Sequence, residues 1–150
     1  MKSIEDAIQQ KSFASEKEKA LVNLSYSYHE LAYRQLQLLR DFDVSVQQFN
    51  VLRILRGSAP ESLSIKSIAQ RMLDKTSNAS RLVDKLVEKE LAEQKTCEKD
   101  RRQSDVFITE KGMNCINRAS QCMTENLIEK LPLSEEQWVV LNDLLDQMRE

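Results

Sequence analysis

The order of three local patterns constrains the fold of this chain more than any other feature. Residues 64–72 and 76–90 each repeat apolar side chains at helical spacing, with a polar turn between them. Residues 92–98 and 103–109 follow as two strand-like segments that enclose the charged run Asp100-Arg101-Arg102. Two short helices followed by a hairpin with a basic tip predict a winged helix-turn-helix, a fold that lays one helix in a DNA major groove.

The second of these helices, predicted to start at Asp74 or Thr76, is the candidate reading element. With Ala79 as its buried centre, a rotation of about 100° per residue turns a polar set toward solvent, namely Ser77, Asn78, Ser80, Arg81, Asp84 and Lys85. Serine, asparagine and arginine in the first turns of such a helix offer donors and acceptors to base edges. The same pattern also fits an ordinary solvated helix face, and acidic Asp84 would repel a nearby phosphate.

The hairpin tip favours the DNA-binding interpretation. An exposed Arg102 gains most from a narrow, electronegative minor groove, and Asp100 can hold its guanidinium by paired hydrogen bonds. Arg101 is then predicted to touch a phosphate, a contact that adds affinity but reads no sequence. The alternative is a plain polar turn, because aspartate favours turns for local reasons.

The segment before the two short helices predicts a long helix and a shorter one. From Glu16, apolar residues recur at three- and four-residue steps until Asp41-Phe42-Asp43 closes the helix. Ser45 then begins a helix with a capping box, because its hydroxyl can accept from the amide of Gln48 while the Gln48 side chain reaches back. Gly57 is predicted to end this helix in a left-handed conformation.

The segment after the hairpin predicts two more helices. Thr109 begins a helix whose apolar stripe continues to Leu131, and Pro132 breaks it. Ser134 and Gln137 form another capping box, which begins the final helix. The two ends of the chain therefore look suited to pairing two copies of it through apolar helix faces.

Composition limits the other classes of function. The net charge of −2 hides an asymmetry, since residues 64–112 hold eleven Lys and Arg against nine Asp and Glu, a surplus of two positive charges. No apolar run approaches the roughly 20 residues needed to span a bilayer, and the N-terminus lacks a signal-peptide core, so we expect a cytoplasmic protein. Neither a glycine-rich phosphate loop nor a metal-ligand cluster is present, so we expect no enzyme, cofactor or metal.

Three stretches of this sequence resemble one family. They are Leu63-Ser64-Ile65 with Ile68-Ala69, then Ser80 to Leu86, then Asp100-Arg101-Arg102 with Ile108 to Gly112. Together they are similar to the MarR family of bacterial transcription regulators. The resemblance implies a homodimer on a pseudo-palindromic operator that usually represses, and a small anionic or phenolic effector that releases the DNA. Two residues depart from the family pattern, because Glu90 replaces a frequent glycine and Gln94 a frequent arginine.

We therefore predict a mainly α fold with a small β hairpin (α+β), forming one domain over residues 1–150. Residues 45–112 are its winged-helix DNA-binding part, while 1–40 and 113–150 are helical dimerisation parts. The predicted function is a sequence-specific, ligand-responsive repressor that binds double-stranded DNA as a homodimer. The alternative is a winged-helix module for protein–protein assembly without DNA binding. The predicted DNA contacts are Lys66, Lys75, Thr76, Ser77, Asn78, Ser80, Arg81, Lys85, Asp100, Arg101 and Arg102.

The remaining reactive side chains have two interpretations each. Cys115 and Cys122 lie seven residues apart on one helix face, where they are either packing residues, which we favour, or a redox sensor across a dimer. His29 and its neighbour Tyr28 either line a ligand pocket or have a plain structural role, and the second is favoured. No ligand-binding residue is predicted.

Overall fold

The computed structural model describes residues 2–96 and 104–149, which fold into seven α-helices and one small sheet. The helices are α1 (Ile4–Ile8), α2 (Glu16–Leu39), α3 (Val46–Arg56), α4 (Ile65–Arg71), α5 (Ala79–Glu88), α6 (Glu110–Asn126) and α7 (Glu135–Gln147). The strands are β1 (Leu63–Ser64), β2 (Ala92–Thr96) and β3 (Ser104–Ile108), and 3₁₀ turns cover Arg40–Phe42 and Ile128–Lys130. The predicted mainly α architecture with a small hairpin is confirmed.

The sheet is antiparallel and has the order β1-β3-β2. β2 and β3 form the hairpin, with Ala92 opposite Ile108 and Thr96 opposite Ser104. β1 adds a short outer strand, in which Leu63 faces Val106. Since β1 leads directly into α4, this pairing joins the hairpin to the start of the helix-turn-helix. The predicted strand ends at Cys97, Glu98 and Gln103 lie outside the described residues.

One core holds the winged-helix part together. Val51, Leu52 and Leu55 of α3 are at most 1% exposed, and Val83 and Leu86 of α5 are fully buried. Further buried side chains come from every element around them, including Ile68 of α4, Val106 of β3 and Ile116 of α6. Helix α5 is thereby held against α3, α4 and the sheet, and its opposite face is exposed.

Several helix boundaries follow the predicted capping chemistry. Ser45 accepts the Gln48 amide at 3.1 Å, and the Gln48 side chain accepts the Ser45 amide at 3.0 Å. Ser134 and Gln137 repeat this arrangement at α7, and the hydroxyl of Thr109 accepts the Gly112 amide at 2.9 Å to begin α6. Such side chains satisfy amides that the first helical turn leaves without partners. These predictions are confirmed.

Other predicted boundaries are wrong. Gly57 ends α3 with a φ of −69°, because the chain continues in right-handed turns and needs no left-handed residue there. α6 ends at Asn126, so Leu131 lies beyond it, after a 3₁₀ turn. α5 begins at Ala79 rather than at Asp74 or Thr76. The short helix α1 was not predicted, although Ser3 and Asp6 give it a capping box.

The long N-terminal helix α2 is mostly unburied. It runs from Glu16 to Leu39 as predicted, and only Leu39 of its 24 residues is buried. Its apolar seam lies open, with Leu21 55%, Leu24 41% and Tyr28 65% exposed. An exposed apolar seam of this kind indicates that another surface covers it. Within the described residues, no helix is both long enough and apolar enough to cross a membrane.

Candidate nucleic-acid interface

The outer face of α5 is polar in its first turns. Ala79, Val83 and Leu86 are buried against the core, whereas Ser80 and Arg81 are exposed. Lys85 lies one turn beyond Arg81 on neighbouring surface and is exposed as well. The predicted outward direction of these three polar side chains is therefore found in the structure, although their contact with DNA remains a prediction.

The residues just before α5 form a turn organised by Asp74. Its carboxylate accepts the Thr76 amide at 2.9 Å, the Thr76 hydroxyl at 2.7 Å and the Ser77 hydroxyl at 2.9 Å. These bonds, those from Thr76 first, lower the pKa of Asp74 below its usual range. Thr76 and Ser77 therefore precede the helix, and the helical wheel that included Ser77 was wrong. Their hydroxyl protons go to Asp74, so their oxygens remain available chiefly as acceptors.

Asn78 caps α5, which limits what it can offer to a base. Its side-chain oxygen accepts the Arg81 amide at 3.1 Å. The amide nitrogen of Asn78 stays available as a donor. Asn78, which is predicted to contact DNA, thus also fixes the start of α5. Only its side-chain oxygen is used for the cap.

Three of the four predicted phosphate contacts are among the described residues, and they lie on three different segments. Lys66 is exposed on α4, and Lys85 is exposed on α5. Lys75, in the turn between these helices, donates from Nζ to the carbonyl of Gln70 at 2.6 Å. This bond holds the Lys75 ammonium near the end of α4, while its other protons can still meet an anion.

The hairpin tip carries three predicted contacts that lie outside the described residues, namely Asp100, Arg101 and Arg102. Below it, β2 is polar after the buried Ala92, and the Lys95 Nζ lies 5.0 Å from the centre of the Phe107 ring on the facing strand. Lys95 also pairs with Glu93 at 3.1 Å. The structure therefore supplies a paired two-stranded base for the tip, and the roles of the tip residues remain predictions.

The sequence showed only part of a junction at the end of α5, namely Glu90 in place of a frequent glycine. Glu90 has a φ of 61°, and this left-handed turn lets the Leu91 amide bond to the Leu86 carbonyl at 2.8 Å. The Glu90 carbonyl then accepts the Thr109 hydroxyl at 2.7 Å, and its carboxylate pairs with Lys111 at 2.7 Å. These contacts fasten the end of the recognition helix to the start of α6.

Gly112 completes this junction because the Leu91 backbone passes very close to it. A Cβ built at Gly112 would lie 2.0 Å from the Leu91 carbonyl oxygen, closer than any side chain allows. In the sequence, the signal for this contact is the run Thr109 to Gly112, which is part of the family resemblance. In the structure, Thr109, Lys111 and Gly112 of that motif contact Glu90 and Leu91, which lead into β2. We call this set of contacts the clasp.

The cysteine and histidine side chains give little sign of special chemistry. Cys115 is half-buried, and burial raises its pKa, which disfavours the reactive thiolate. The half-buried Cys122 lies beside the Asn126 amide nitrogen at 3.7 Å. His29 is exposed and meets the Tyr28 ring edge-on, with 5.5 Å between ring centres. Among the described residues, no group of three or more His, Cys, Asp or Glu could hold a metal ion.

Taken together, the helix-turn-helix, its three-stranded wing base and the flanking long helices define a winged-helix protein. Residues 42–103 match the sequence model of the MarR family. This segment is therefore similar in sequence to the MarR family, and the structures described next share the fold of the chain. No curated protein matches the sequence.

Three solved structures illustrate the shared fold. AbsC, a MarR family transcriptional regulator from Streptomyces coelicolor, has a TM-score of 0.74 at 17% identity and covers 93% of this chain and 96% of its own. BpsR of Bordetella bronchiseptica, whose DNA binding is regulated by 6-hydroxynicotinic acid, scores 0.74 at 19%, covering 85% and 90%. The repressor CouR, bound to a 23-mer DNA duplex, scores 0.72 at 21%, covering 86% and 91%.

Proposed function

We propose that this protein is a homodimeric, sequence-specific DNA-binding repressor whose affinity for DNA is controlled by a small molecule. The observation that carries the proposal is the recognition helix α5, which buries Ala79, Val83 and Leu86 and turns Ser80 and Arg81 outward within a MarR family winged helix. A helix buried on one side and polar in its first turns suits insertion in a major groove.

Dimerisation is proposed from the terminal parts, residues 1–40 and 113–150. Helix α7 has no buried residue, and its Val139, Val140 and Leu144 are each more than half exposed. The open seam of α2 adds a second apolar surface. Two surfaces of this kind would be covered by a second copy of the chain, which would hold two winged-helix parts (residues 45–112) about 34 Å apart, one DNA turn.

The proposed contacts divide by the part of DNA they meet. Base edges are assigned to Arg81 with help from Thr76, Ser77, Asn78 and Ser80, and phosphates to Lys66, Lys75, Lys85 and Arg101. Arg102 is assigned to the minor groove, with Asp100 orienting it. The hydrogen bonds of the Asp74 turn support the first group, because they hold the hydroxyl oxygens of Thr76 and Ser77 in one place before DNA arrives.

The test begins with a binding site selected from random duplexes and measured by gel shift across salt. Dimer binding should lose affinity steeply as salt rises, because phosphates recover their counterions. Arg81→Ala should weaken the selected site by about 1–3 kcal/mol and relax its sequence preference, whereas Lys17→Ala, an exposed lysine of α2, should change neither. Absence of any salt-dependent shift would instead favour the protein–protein assembly module.

Control by a small molecule is proposed on the family and on BpsR, whose DNA binding responds to 6-hydroxynicotinic acid. An effector can shift binding only if it prefers the conformation that does not fit the operator. Thermal shift against aromatic acids and phenols, followed by competition with operator DNA, tests this part. Compounds that stabilise the protein but leave operator affinity unchanged would refute the coupling. A reporter under the selected operator should be derepressed when the regulator is deleted.

A further inference from the structure

A groove runs beside the C-terminal half of the recognition helix and is not used by the contacts proposed above, apart from Lys85. Its volume is about 530 Å³. Its walls come from the 3₁₀ turn after α2, the start of α3 and the flank of α5. The lining residues are Arg40, Asp43, Val44, Ser45, Gln48, Leu82, Lys85, Glu88 and Lys89. Because three elements meet here, sequence reasoning about any one helix could not find it.

Gln48 presents an unusual donor to this groove. The residue is only 4% exposed, and its side-chain oxygen is occupied by the Ser45 amide at 3.0 Å. Within residues 2–96 and 104–149, its Nε2 donates to no protein acceptor and is not a buried unpaired atom, so the small exposed part of Gln48 includes this donor. A donor that is open at a groove wall can bond to water or to an acceptor from outside the chain.

The charges around this donor leave a positive surplus. Lys89 is already held by Asp43, through the backbone carbonyl and through the carboxylate at 3.2 Å, so this pair is neutral. Arg40 and Lys85 are exposed and have no carboxylate within 4.0 Å among the described residues, while Glu88 opposes them with one negative charge. The unpaired lining charge is therefore +1, which suits an oxyanion.

The position of the groove indicates where that oxyanion comes from. Lys85 follows Arg81 by one helical turn, so the groove flanks the face proposed to read bases. A helix about 10–12 Å across fills a major groove about 12 Å wide, which brings the flanks of the helix close to the phosphate backbones. A backbone phosphate at this flank would lie within reach of Arg40 and Lys85.

We propose that this groove seats a phosphate of the DNA backbone, with Arg40, Lys85 and the Gln48 amide as its donors. The inference rests on the proposed function, and it adds Arg40 and Gln48 as positioning residues that fix the orientation of α5 on DNA. The chemistry recognised is an oxyanion, so a free small anion is the competing source. In either case Lys89 and Asp43 shape the groove without binding the anion.

The central experiment compares salt slopes of binding to the selected site. Arg40→Gln should lower affinity about tenfold at moderate salt and reduce the slope of log K against log salt by about 1 for each subunit. Gln48→Glu keeps the acceptor that the capping box needs but replaces the donor with a charge, so it should lower affinity at least as much. Glu88→Gln should act oppositely and raise affinity about threefold. Arg34→Gln is the matched control, because Arg34 is an exposed arginine of α2, the helix that leads to Arg40. It should change neither the affinity nor the salt slope.

A second measurement identifies the phosphate. Single methylphosphonates, which lack the charge, are placed along the selected duplex, and one position in each half-site should weaken the wild-type protein. The same substitution should have little further effect on Arg40→Gln, because that contact is already lost. If Arg40→Gln and Gln48→Glu keep the affinity and salt slope of a wild-type protein that does bind DNA, the inference is wrong and the proposed function stands.

The competing source is tested with inorganic phosphate. A thermal shift by phosphate that requires Arg40, combined with unchanged DNA binding in Arg40→Gln, would make the groove a small-anion site and overturn the assignment to DNA. Loss of DNA binding together with normal folding by circular dichroism would support it. A wild-type protein that shows no salt-dependent DNA binding would instead remove the proposed function itself.

Discussion

Helices α3 and α7 begin with the same chemistry and end in different environments. Each starts at a serine whose hydroxyl accepts the amide of a glutamine three residues on, and each glutamine reaches back to the serine amide. Yet α3 buries four of its 11 residues, whereas α7 buries none of its 13. Local side chains thus specify where a helix begins, but they do not decide whether its apolar face has a partner.

The two helices gain their stability from different surfaces. Isolated helices shorter than about 12–15 residues are marginal in water, so a helix such as α7 needs a surface to pack on. α3 finds that surface inside the chain, against α5 and α6, while α7 exposes Val139, Val140 and Leu144. We infer that the winged-helix core is stabilised within one chain and that α7 is stabilised by the proposed second copy.

The largest expected effects separate these two kinds of stabilisation. Leu52→Ala empties a fully buried site in α3 and should cost about 3 kcal/mol of unfolding free energy, whatever the protein concentration. Leu144→Asp puts a charge on the open face of α7, so it should mainly weaken dimerisation. Urea unfolding at two concentrations and sedimentation equilibrium measure both effects. If the Leu144→Asp protein dimerises as strongly as the wild type, the inference that a second copy covers α7 is wrong.

A second test concerns the clasp that joins the core to α6. Gly112→Ala forces a methyl group against the Leu91 carbonyl, so backbone must move, and we expect a loss of about 2 kcal/mol. Gly57→Ala is the matched control, because its φ is −69° and its nearest contact for a new Cβ is 3.5 Å. Chemical denaturation should therefore separate the two glycines. Equal stabilities would mean that the clasp yields without cost.

The parts of the fold that sequence predicted well are those set by short-range chemistry. The capping boxes at Ser45 and Ser134, the cap at Thr109 and the hairpin alternation all depend on residues two or three apart. The predicted start of α5 was wrong because two local hydrogen-bonding patterns compete there, a turn and a helix cap. The Asp74 carboxylate accepts the hydroxyls of Thr76 and Ser77 and so stabilises a turn. The helix therefore begins only after Asn78, which caps it.

Other features could not be predicted because they join distant segments. β1 exists only through its pairing with β3, more than 40 residues away in sequence. Among the candidate site residues, Ser80, Arg81 and Lys85 were found from helical periodicity, since it predicts the direction of a side chain on one helix. Arg40 and Gln48 were not found in this way, because they approach Lys85 only when the turn after α2 and helix α3 pack against α5.

A smaller effect is expected where the chain departs from the usual family pattern. Glu90 adopts a φ of 61°, a conformation that favours glycine, so Glu90→Gly should raise Tm by about 2 °C. The gain should exceed the loss of the exposed ion pair with Lys111, because such pairs contribute little. Lys111→Met, which removes only the pair, is the control and should leave Tm nearly unchanged. A lower Tm for Glu90→Gly would show that the carboxylate matters more than the backbone.

The smallest expected effect lies in the turn that precedes α5. The hydrogen bonds from Thr76 and Ser77 lower the pKa of Asp74, so the folded protein binds its proton less readily than the unfolded chain does. The resulting stabilisation is therefore fully present above the usual aspartate pKa of about 3.9 and is lost as pH falls through the lower folded value. Asp74→Asn should have a Tm about 1–2 °C below wild type at pH 7, and the gap should close in acid. A gap that is constant down to the acid limit would mean that the charge of Asp74 does not order the turn, and that the start of the recognition helix depends on the Asn78 cap alone.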